Sequence, residues 1–349
     1  GVSMLGNTPR VDSLELLDAH FAGALPTGIR QITGIGAPNP PWPKKARVWI
    51  GNNYREYEIH PEDAFGQTEA AVKRWKDRHP RAMTYVMPAR VGAAPENGRE
   101  LNIRQNREMR RIANEHGVPI HSHAFAGDMK FVMATSPEVL GSDISLSHCT
   151  GMDEEEWQIM ADKGISVCHG PSTHSNIRVR CPAVEMLEAG VNVVIATDGT
   201  APDRSFDLWR DMRMAQILHR CHFHDSGLLP PGLILEMCTI RAAKALKLDH
   251  QIGSLEVGKK ADMILVDVEQ PHLAPFGAMP IQRLVYHASG QDVSHVIIDG
   301  QLIMADRQVL SVDQRRILAD ASNACTTMME RSGNWDKTVN TKLYEISSH

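Results

Sequence analysis

Imidazoles and one carboxylate fall at the ends of successive apolar, β-branched runs. These are His121-Ser122-His123, then His148, then Cys168-His169, and finally Thr197-Asp198-Gly199. Neutral imidazole nitrogens and carboxylate oxygens gathered at neighbouring strand ends are the donor set of a divalent metal. Residues two apart on a strand share a side, so His121 and His123 can face one way together. His123, nearer the following loop, is the better ligand candidate. A lone histidine in such a place is more often a hydrogen-bonded core residue; four polar strand ends in series carry the metal reading. His174, in Ser172-Thr173-His174-Ser175-Asn176, lies where it could touch a ligand, whereas His60, His79, His222, His224 and His250 read as solvated.

The elements that must position these groups follow from periodicity. Strand patterns begin near residues 2, 29, 82, 118, 143, 165 and 191, and helical spacing follows each over 12–24, 62–78, 102–116, 128–139, 153–163, 182–189 and 206–222. Gly117 and Gly164 stop two of the helices, and Asp153 with Glu156 reads as a capping box. Strands alternating with helices at this rhythm give βαβ units and a parallel sheet. Seven such units are one short of a closed (β/α)₈ barrel, and no GxGxxG turn follows the first strand to favour a dinucleotide-binding sheet. The expected fold class is therefore α/β, a TIM-like barrel without its first strand. The proline-rich stretch 38–43 is expected to be irregular, as a loop over the site or a surface excursion. Past residue 250 the rhythm changes to a strand pattern at 261–267 and a hairpin over 293–304 turning at Asp299-Gly300, and a helix spans 312–332. The domain expectation is a barrel over 1–250, a small β-sandwich part over 251–311, and a C-terminal helix and tail over 312–349.

Composition narrows the partners. Apolar residues make up 42% of the 349 and charged residues 23%, the balance of a globular protein. With 37 Lys and Arg against 42 Asp and Glu, the net charge of −5 offers no basic excess for a phosphate backbone, so nucleic acid is not an expected partner. Apolar runs such as Val191 to Ala196 fall far short of the roughly 20 residues of a membrane helix. The six cysteines form no CxxC pair, and scattered thiols suit a reducing cytoplasm. The chain opens on Gly1-Val2-Ser3-Met4-Leu5 without a basic or apolar leader, and is expected to begin inside a structural element.

The stretch Glu185-Met186-Leu187-Glu188-Ala189-Gly190-Val191-Asn192-Val193-Val194-Ile195-Ala196-Thr197-Asp198-Gly199 resembles the last barrel strand of the amidohydrolase superfamily. It is most similar to the branch of chlorohydrolases, triazine hydrolases and cytosine- or guanine-type deaminases. Gly253-Ser254-Leu255-Glu256-Val257-Gly258-Lys259-Lys260-Ala261-Asp262 and Val296-Ile297-Ile298-Asp299-Gly300 extend the resemblance over about 118–320. What it implies is a divalent metal, zinc above iron, cobalt or manganese, held by His123 and Asp198. Asp198 would also be the base that deprotonates the attacking water. His148 would orient that water, polarise the scissile group, or serve as a second ligand in a binuclear site, and His169 and Asn176 would shape the substrate pocket. The implied partner is a small molecule, with a homo-oligomer expected from relatives that are often dimers or larger.

Two departures shape the expected activity. The family takes two further ligands from a His-x-His ending its first strand, and the His-x-His pairs here, 121/123 and 222/224, stand elsewhere. The stretch from His123 to Asp198 is too short for the seven βα units that would follow a first strand, which is therefore expected upstream of Gly1. The deaminases of this branch also carry a Glu three residues after the ligand His, where this chain has Ala126. That favours hydrolysis of an amide, urea, carbamate or similar C–N bond. The alternatives are a deaminase of a purine, pyrimidine or triazine-like heterocycle, with Asp128 as acid, and an inactive fragment without a complete metal site.

Overall fold

The computed structural model describes residues 4–6, 13–37, 40, 42–51, 53–92, 98–176, 179–199 and 205–333. In chain order the strands of its first part are β1 (Met4–Gly6), β2 (Arg30–Thr33), β3 (Gly36–Ala37), β4 (Lys44–Ile50), β5 (Asn53–Ile59), β6 (Ala82–Thr84) and β7 (Met87–Pro88). They are followed by β8 (Ile120–Phe125), β9 (Ile144–Thr150), β10 (Ser166–His169) and β11 (Asn192–Ile195). Parallel ladders join β1 to β2, β2 to β6 and β3 to β7, and a second run joins β8, β9, β10 and β11 in chain order. A parallel bridge between Val86 and Ile120 links the two runs. Taking β2 with β3, and β6 with β7, as interrupted staves, seven parallel staves stand in sequence order, the wall of a TIM-like barrel. Among the described residues no ladder joins β11 back to β1.

Helices separate the staves: α1 (Leu14–Ala24), α2 (Pro61–Trp75), α3 (Arg99–His116), α4 (Asp128–Thr135), α5 (Glu154–Lys163), α6 (Pro171–Asn176), α7 (Ala183–Glu188) and α8 (Leu208–Phe223). All but α6, whose buried side chains include Ser172, Thr173 and His174, bury apolar residues. Met109 and Ile112 of α3, Val132 of α4, Met160 of α5, Met186 of α7 and Met212 of α8 share one core with Ile120, Ile144, Leu146, Val167 and Val193. Leu17 and Phe21 of α1 pack separately on Ala71 and Trp75 of α2. As the sequence predicts, α3 and α5 end on left-handed Gly117 (φ 60°) and Gly164 (φ 68°). Asp153 caps α5 by accepting from the Glu156 N–H, but the reciprocal half of the expected box is missing. The buried Glu156 carboxylate accepts instead from the Met129 N–H at 3.1 Å, tying α5 to α4.

The excursion after residue 37 is only partly irregular. β4 and β5 form an exposed antiparallel hairpin in full register, Lys44 opposite Ile59 through Ile50 opposite Asn53. Residues 1–3, with the start of the first expected strand, Pro38, Asn39 and Pro41, and 334–349 of the expected tail lie outside the described residues. Beyond α8 come α9 (Pro231–Met237) and α10 (Ile240–Ala245), which periodicity did not reveal. A four-stranded antiparallel sheet follows, β12 (Met263–Val266), β13 (Val293–Ile298), β14 (Gln301–Ala305) and β15 (Gln308–Val309), with α11 (Pro280–His287) between its first two strands. The expected turn is there, with Asp299 and Gly300 both at positive φ. α12 (Gln314–Ser332) closes the described chain with no buried residue.

Candidate metal centre

Parallel staves bring their C-terminal ends to one rim, and the polar strand ends gather there. His123, at the end of β8, shares an Nδ1 hydrogen bond with the Ala89 carbonyl at 2.8 Å. A carbonyl only accepts, so Nδ1 carries the proton and the lone pair sits on Nε2, the state of a metal-binding imidazole. Two residues deeper, His121 is buried between the hydroxyls of Ser145 at 2.8 Å and Ser147 at 3.0 Å. Burial, then the neighbouring His123 and His148, pushes its pKa down to about 3. His121 shares the side of His123, as expected, but its nitrogens serve the wall.

His148 reaches its place through a break in the ladder. Ala124 pairs with His148 and Phe125 with Thr150, so Cys149 is an extra residue, a bulge that re-aims the strand end. His148 and Cys149 both adopt left-handed backbone, φ 74° and 48°, as does Asp198 at 58°. Such conformations cost on the order of 1–2 kcal/mol in residues with a Cβ and persist where packing over-determines them. The His148 ring stacks against His123 (centroids 5.1 Å apart, planes at 28°) and against Phe125.

On its other side His148 meets His174, Nδ1 to Nε2 at 3.3 Å. His174 lies in α6, directly after β10, and is 2% exposed. It also touches His169, Nδ1 to Nδ1 at 3.2 Å, and His169 touches His219 of α8, Nε2 to Nε2 at 3.2 Å. Burial, foremost, holds His174 and His219 down to about 4 and His169 well below its ordinary value. His169, expected to shape the substrate pocket, is fully buried with both nitrogens against other imidazoles, where it braces His174. Asn176 is the last residue of α6, and its side chain lies outside the described residues.

Asp198, just past β11, is held from two directions. Its Oδ2 accepts from the Thr173 hydroxyl at 2.8 Å and its Oδ1 from the Gly199 N–H at 2.6 Å. Its negative charge raises the pKa of His174 against the dominant effect of burial, which places it beside α6. α6 is anchored in turn to α8, where the buried Asp211 accepts from the Ser172 hydroxyl at 2.6 Å. Sequence reasoning missed Thr173 and His219. A signal for His219 existed: with Asp211, Met212 and Ala215 it lies on the buried stripe of α8, where an imidazole needs a partner.

Asp128, the expected substitute acid, is otherwise engaged. Its carboxylate takes two bonds from the Arg90 guanidinium, at 2.7 and 2.8 Å, and one from the Phe125 N–H at 2.8 Å. It also lies against Gly92, where a Cβ would fall 1.6 Å from Oδ1. Asp128 therefore ties the loop after β7 to the start of α4, and Ala126 is exposed at the rim with no acid of its own. Among the described residues two other groups of possible ligands stand together. Glu69, Glu115 and His116 form one at the surface, and its carboxylates are already paired with Lys73 and Arg111. The buried His169, His174 and Cys181 form the other. The six cysteines are unpaired, and no described helix is long and apolar enough to cross a membrane.

A barrel wall with its polar groups at the C-terminal rim and a small antiparallel sheet beside it agrees with comparison to known proteins. The sequence matches the amidohydrolase family over residues 60–303, and the chain belongs to that family, whose members use divalent metals. It is 35% identical over 192 residues to 5'-deoxyadenosine deaminase of Methanosarcina mazei, covering 55% of this chain and 44% of that protein. It is 40% identical over 185 residues to 5-methylthioadenosine/S-adenosylhomocysteine deaminase of Desulforudis audaxviator, covering 53% and 43%. The chain thus spans about half the length of the curated relatives it matches. An adenosine deaminase from Xanthomonas campestris with bound zinc has the same fold, with TM-score 0.73 and 24% identity over 88% of this chain and 68% of that one. So does the zinc complex of atrazine chlorohydrolase from Arthrobacter aurescens, with TM-score 0.75 and 19% identity over 93% and 73%.

Proposed function

We propose that this protein is a metal-dependent hydrolase that cleaves a C–N bond of an amide, urea, carbamate or similar group in a small non-peptide substrate. The observation that carries the reading is the rim itself. His123, His148 and Asp198 end three strands with their polar atoms oriented, while the position a deaminase would give its acid holds Ala126 and the neighbouring Asp128 is bound to Arg90.

The donor set fits a divalent ion. His123 offers Nε2 with its tautomer fixed by Ala89, and Asp198 offers a carboxylate steadied by Thr173 and Gly199. A bound divalent ion supplies Lewis acidity, polarising the scissile group and bringing the pKa of water to near ~7. Asp198 is then the base that accepts the proton of the attacking water and returns it to the leaving nitrogen. His148, wedged between His123 and His174, orients the reacting group. Zinc is the favoured ion, since both solved relatives described above hold it, and a soluble cytoplasmic enzyme acting on small molecules is the setting proposed.

A second reading, an aminohydrolase of a heterocycle, is favoured by the names of the curated relatives, which are deaminases of adenosine derivatives. One panel separates the two. The zinc-loaded protein is assayed for ammonia release from purines, pyrimidines and triazines, and for cleavage of arylureas, anilides and carbamates. Ammonia from heterocycles alone overturns the first reading. Less than about a tenth of an equivalent of bound metal, with no turnover, favours a non-catalytic product.

A further inference from the structure

We propose that His219, His169, His174 and His148 form a one-way column of imidazole hydrogen bonds that makes His148 present an Nε2–H to the reaction centre. The proposal deepens the hydrolase reading and rests on it only for what that N–H meets.

Three nitrogen-to-nitrogen contacts make the column: His148 Nδ1 with His174 Nε2 at 3.3 Å, His174 Nδ1 with His169 Nδ1 at 3.2 Å, and His169 Nε2 with His219 Nε2 at 3.2 Å. A contact between two ring nitrogens needs one proton, since two N–H groups collide and two lone pairs repel. A neutral imidazole carries one N–H and one lone pair. Burial of His169, His174 and His219 at 0–2% exposure, within 3.3 Å of one another's rings, keeps them neutral. Two arrangements then satisfy all three contacts. Either every ring donates toward His148, or every ring donates toward His219.

The far end of the column decides between them. Among the described residues His219 Nδ1 is buried and has no hydrogen-bond partner. If the rings donate inward, His219 accepts at Nε2 and must carry an N–H at that orphaned position. If they donate outward, His219 spends its proton on His169 and leaves only a lone pair there. A buried N–H left without an acceptor is rarer than an acceptor left without a donor. The column therefore runs outward. His148 accepts at Nδ1 from His174 and carries its proton on Nε2.

This assigns His148 a single role among those the resemblance left open. An Nε2–H is a hydrogen-bond donor, suited to the oxygen or nitrogen of the scissile group, and that nitrogen has no lone pair to give a second metal ion. His174, His169 and His219 are positioning residues that act through it. The same count bears on the buried group of His169, His174 and Cys181, whose ligand atoms lie within 4.8 Å of one another. A metal there needs both facing Nδ1 atoms bare, which forces both histidines to donate at Nε2 and again puts an N–H on the orphaned His219 Nδ1.

The test is the proton position itself, read by two-bond ¹H–¹⁵N correlation on the full chain labelled at histidine, with and without zinc. Resonances are assigned through the signals lost in His148→Gln and His219→Gln. The expected result is His148 protonated at Nε2 and His219 protonated at Nε2 with Nδ1 bare. His174→Gln, which keeps an amide N–H near the Nε2 position, retains the His148 tautomer, and His174→Phe releases it to a mixture. An Nδ1–H on either His148 or His219 in the wild type overturns the proposal, as does a His148 tautomer indifferent to His174→Phe. A cobalt-loaded protein with a thiolate charge-transfer band that vanishes in Cys181→Ser also overturns it, in favour of a metal between the two Nδ1 atoms. Should His174→Phe fail to fold, the wild-type spectrum still decides. The tautomers are read without turnover. A column that stands in a protein inactive on every substrate class sinks only the hydrolase reading, and turnover with the opposite tautomer sinks only the column.

Discussion

Thr173 shows how one hydroxyl can steady the carboxylate proposed as the base. Its bond to Asp198 Oδ2, at 2.8 Å, steadies one carboxylate oxygen while the Gly199 N–H holds the other. Losing such a supporting bond typically costs about 10- to 100-fold in activity. Thr173→Val, which keeps the shape, is expected to lower kcat/KM by that factor while moving the urea midpoint little, and Thr173→Ser to restore most of it. Asp198→Asn is expected to abolish turnover, and activity retained there removes Asp198 from the role of base. Asp128 makes the opposite forecast. Its side chain is 1% exposed and paired with Arg90, which keeps 33% of its surface in water. Asp128→Asn should therefore cost about 2–3 kcal/mol of stability through a weakened pair. Its effect on the pH profile of kcat should be nil. A collapse of kcat with stability intact would show instead that Asp128 delivers the proton.

Elements carry the site through the brace that ties α8 to the end of β10 and to α6. Asp211 holds Ser172, His219 holds His169, and the two contacts lie two helical turns apart on α8. The imidazoles in this brace make stability depend on pH. In the unfolded chain each histidine takes up a proton below about 6.5, whereas in the fold His174 and His219 refuse one until about 4. Their contribution is whole above pH 6.5 and is lost as the pH falls from there toward 4, by roughly 3 kcal/mol for one group shifted so far. Urea unfolding should show a lower midpoint at pH 5 than at pH 7, with a smaller difference in His219→Gln; equal dependence in both proteins argues against the brace. How legible these elements were varied with their chemistry. The longer helices facing the core announced themselves by period, whereas the short α9 and α10 did not, and the glycine stops of α3 and α5 fell where the sequence put them. The β4–β5 hairpin was silent too, because only one of its faces is half-buried and charged residues interrupt the apolar alternation there. His219 showed itself only as a polar residue on an apolar stripe, and its partner, His169, lies on a strand 50 residues away in sequence. The Cys149 bulge was equally silent, since an extra residue in a strand changes pairing and leaves composition alone.

At the scale of the molecule, the alternation of strands and helices was enough to reveal parallel staves, because each unit buries its own stripe locally. The contact that fastens the small sheet to the barrel was not legible, as it joins residues far apart in sequence. Arg30 on β2 and Asp262 just before β12 meet at 2.9 Å with side chains 2% exposed, and Asp262 also accepts from the Asp299 N–H at the tip of the β13–β14 turn. Asp262, which ends the Gly-Lys-Lys-Ala-Asp motif, is thus a fastening between two sheets and lies away from the chemistry. Two charges so deeply buried are tolerated as a pair and costly when parted, because the survivor keeps its desolvation penalty without its partner's field. Arg30→Met is therefore expected to destabilise the protein by about 3–5 kcal/mol. Adding Asp262→Asn to that variant should recover part of the loss, since the amide still accepts from Asp299 and no uncompensated charge remains. Because the pair spans both parts, barrel and sheet should melt in one transition in the wild type, followed by calorimetry, and Arg30→Met should split or broaden it. A penalty below about 1 kcal/mol, or a double variant no more stable than the single one, would mean that the two parts are held by their other contacts, such as Arg81 with Gln301, and not by this pair.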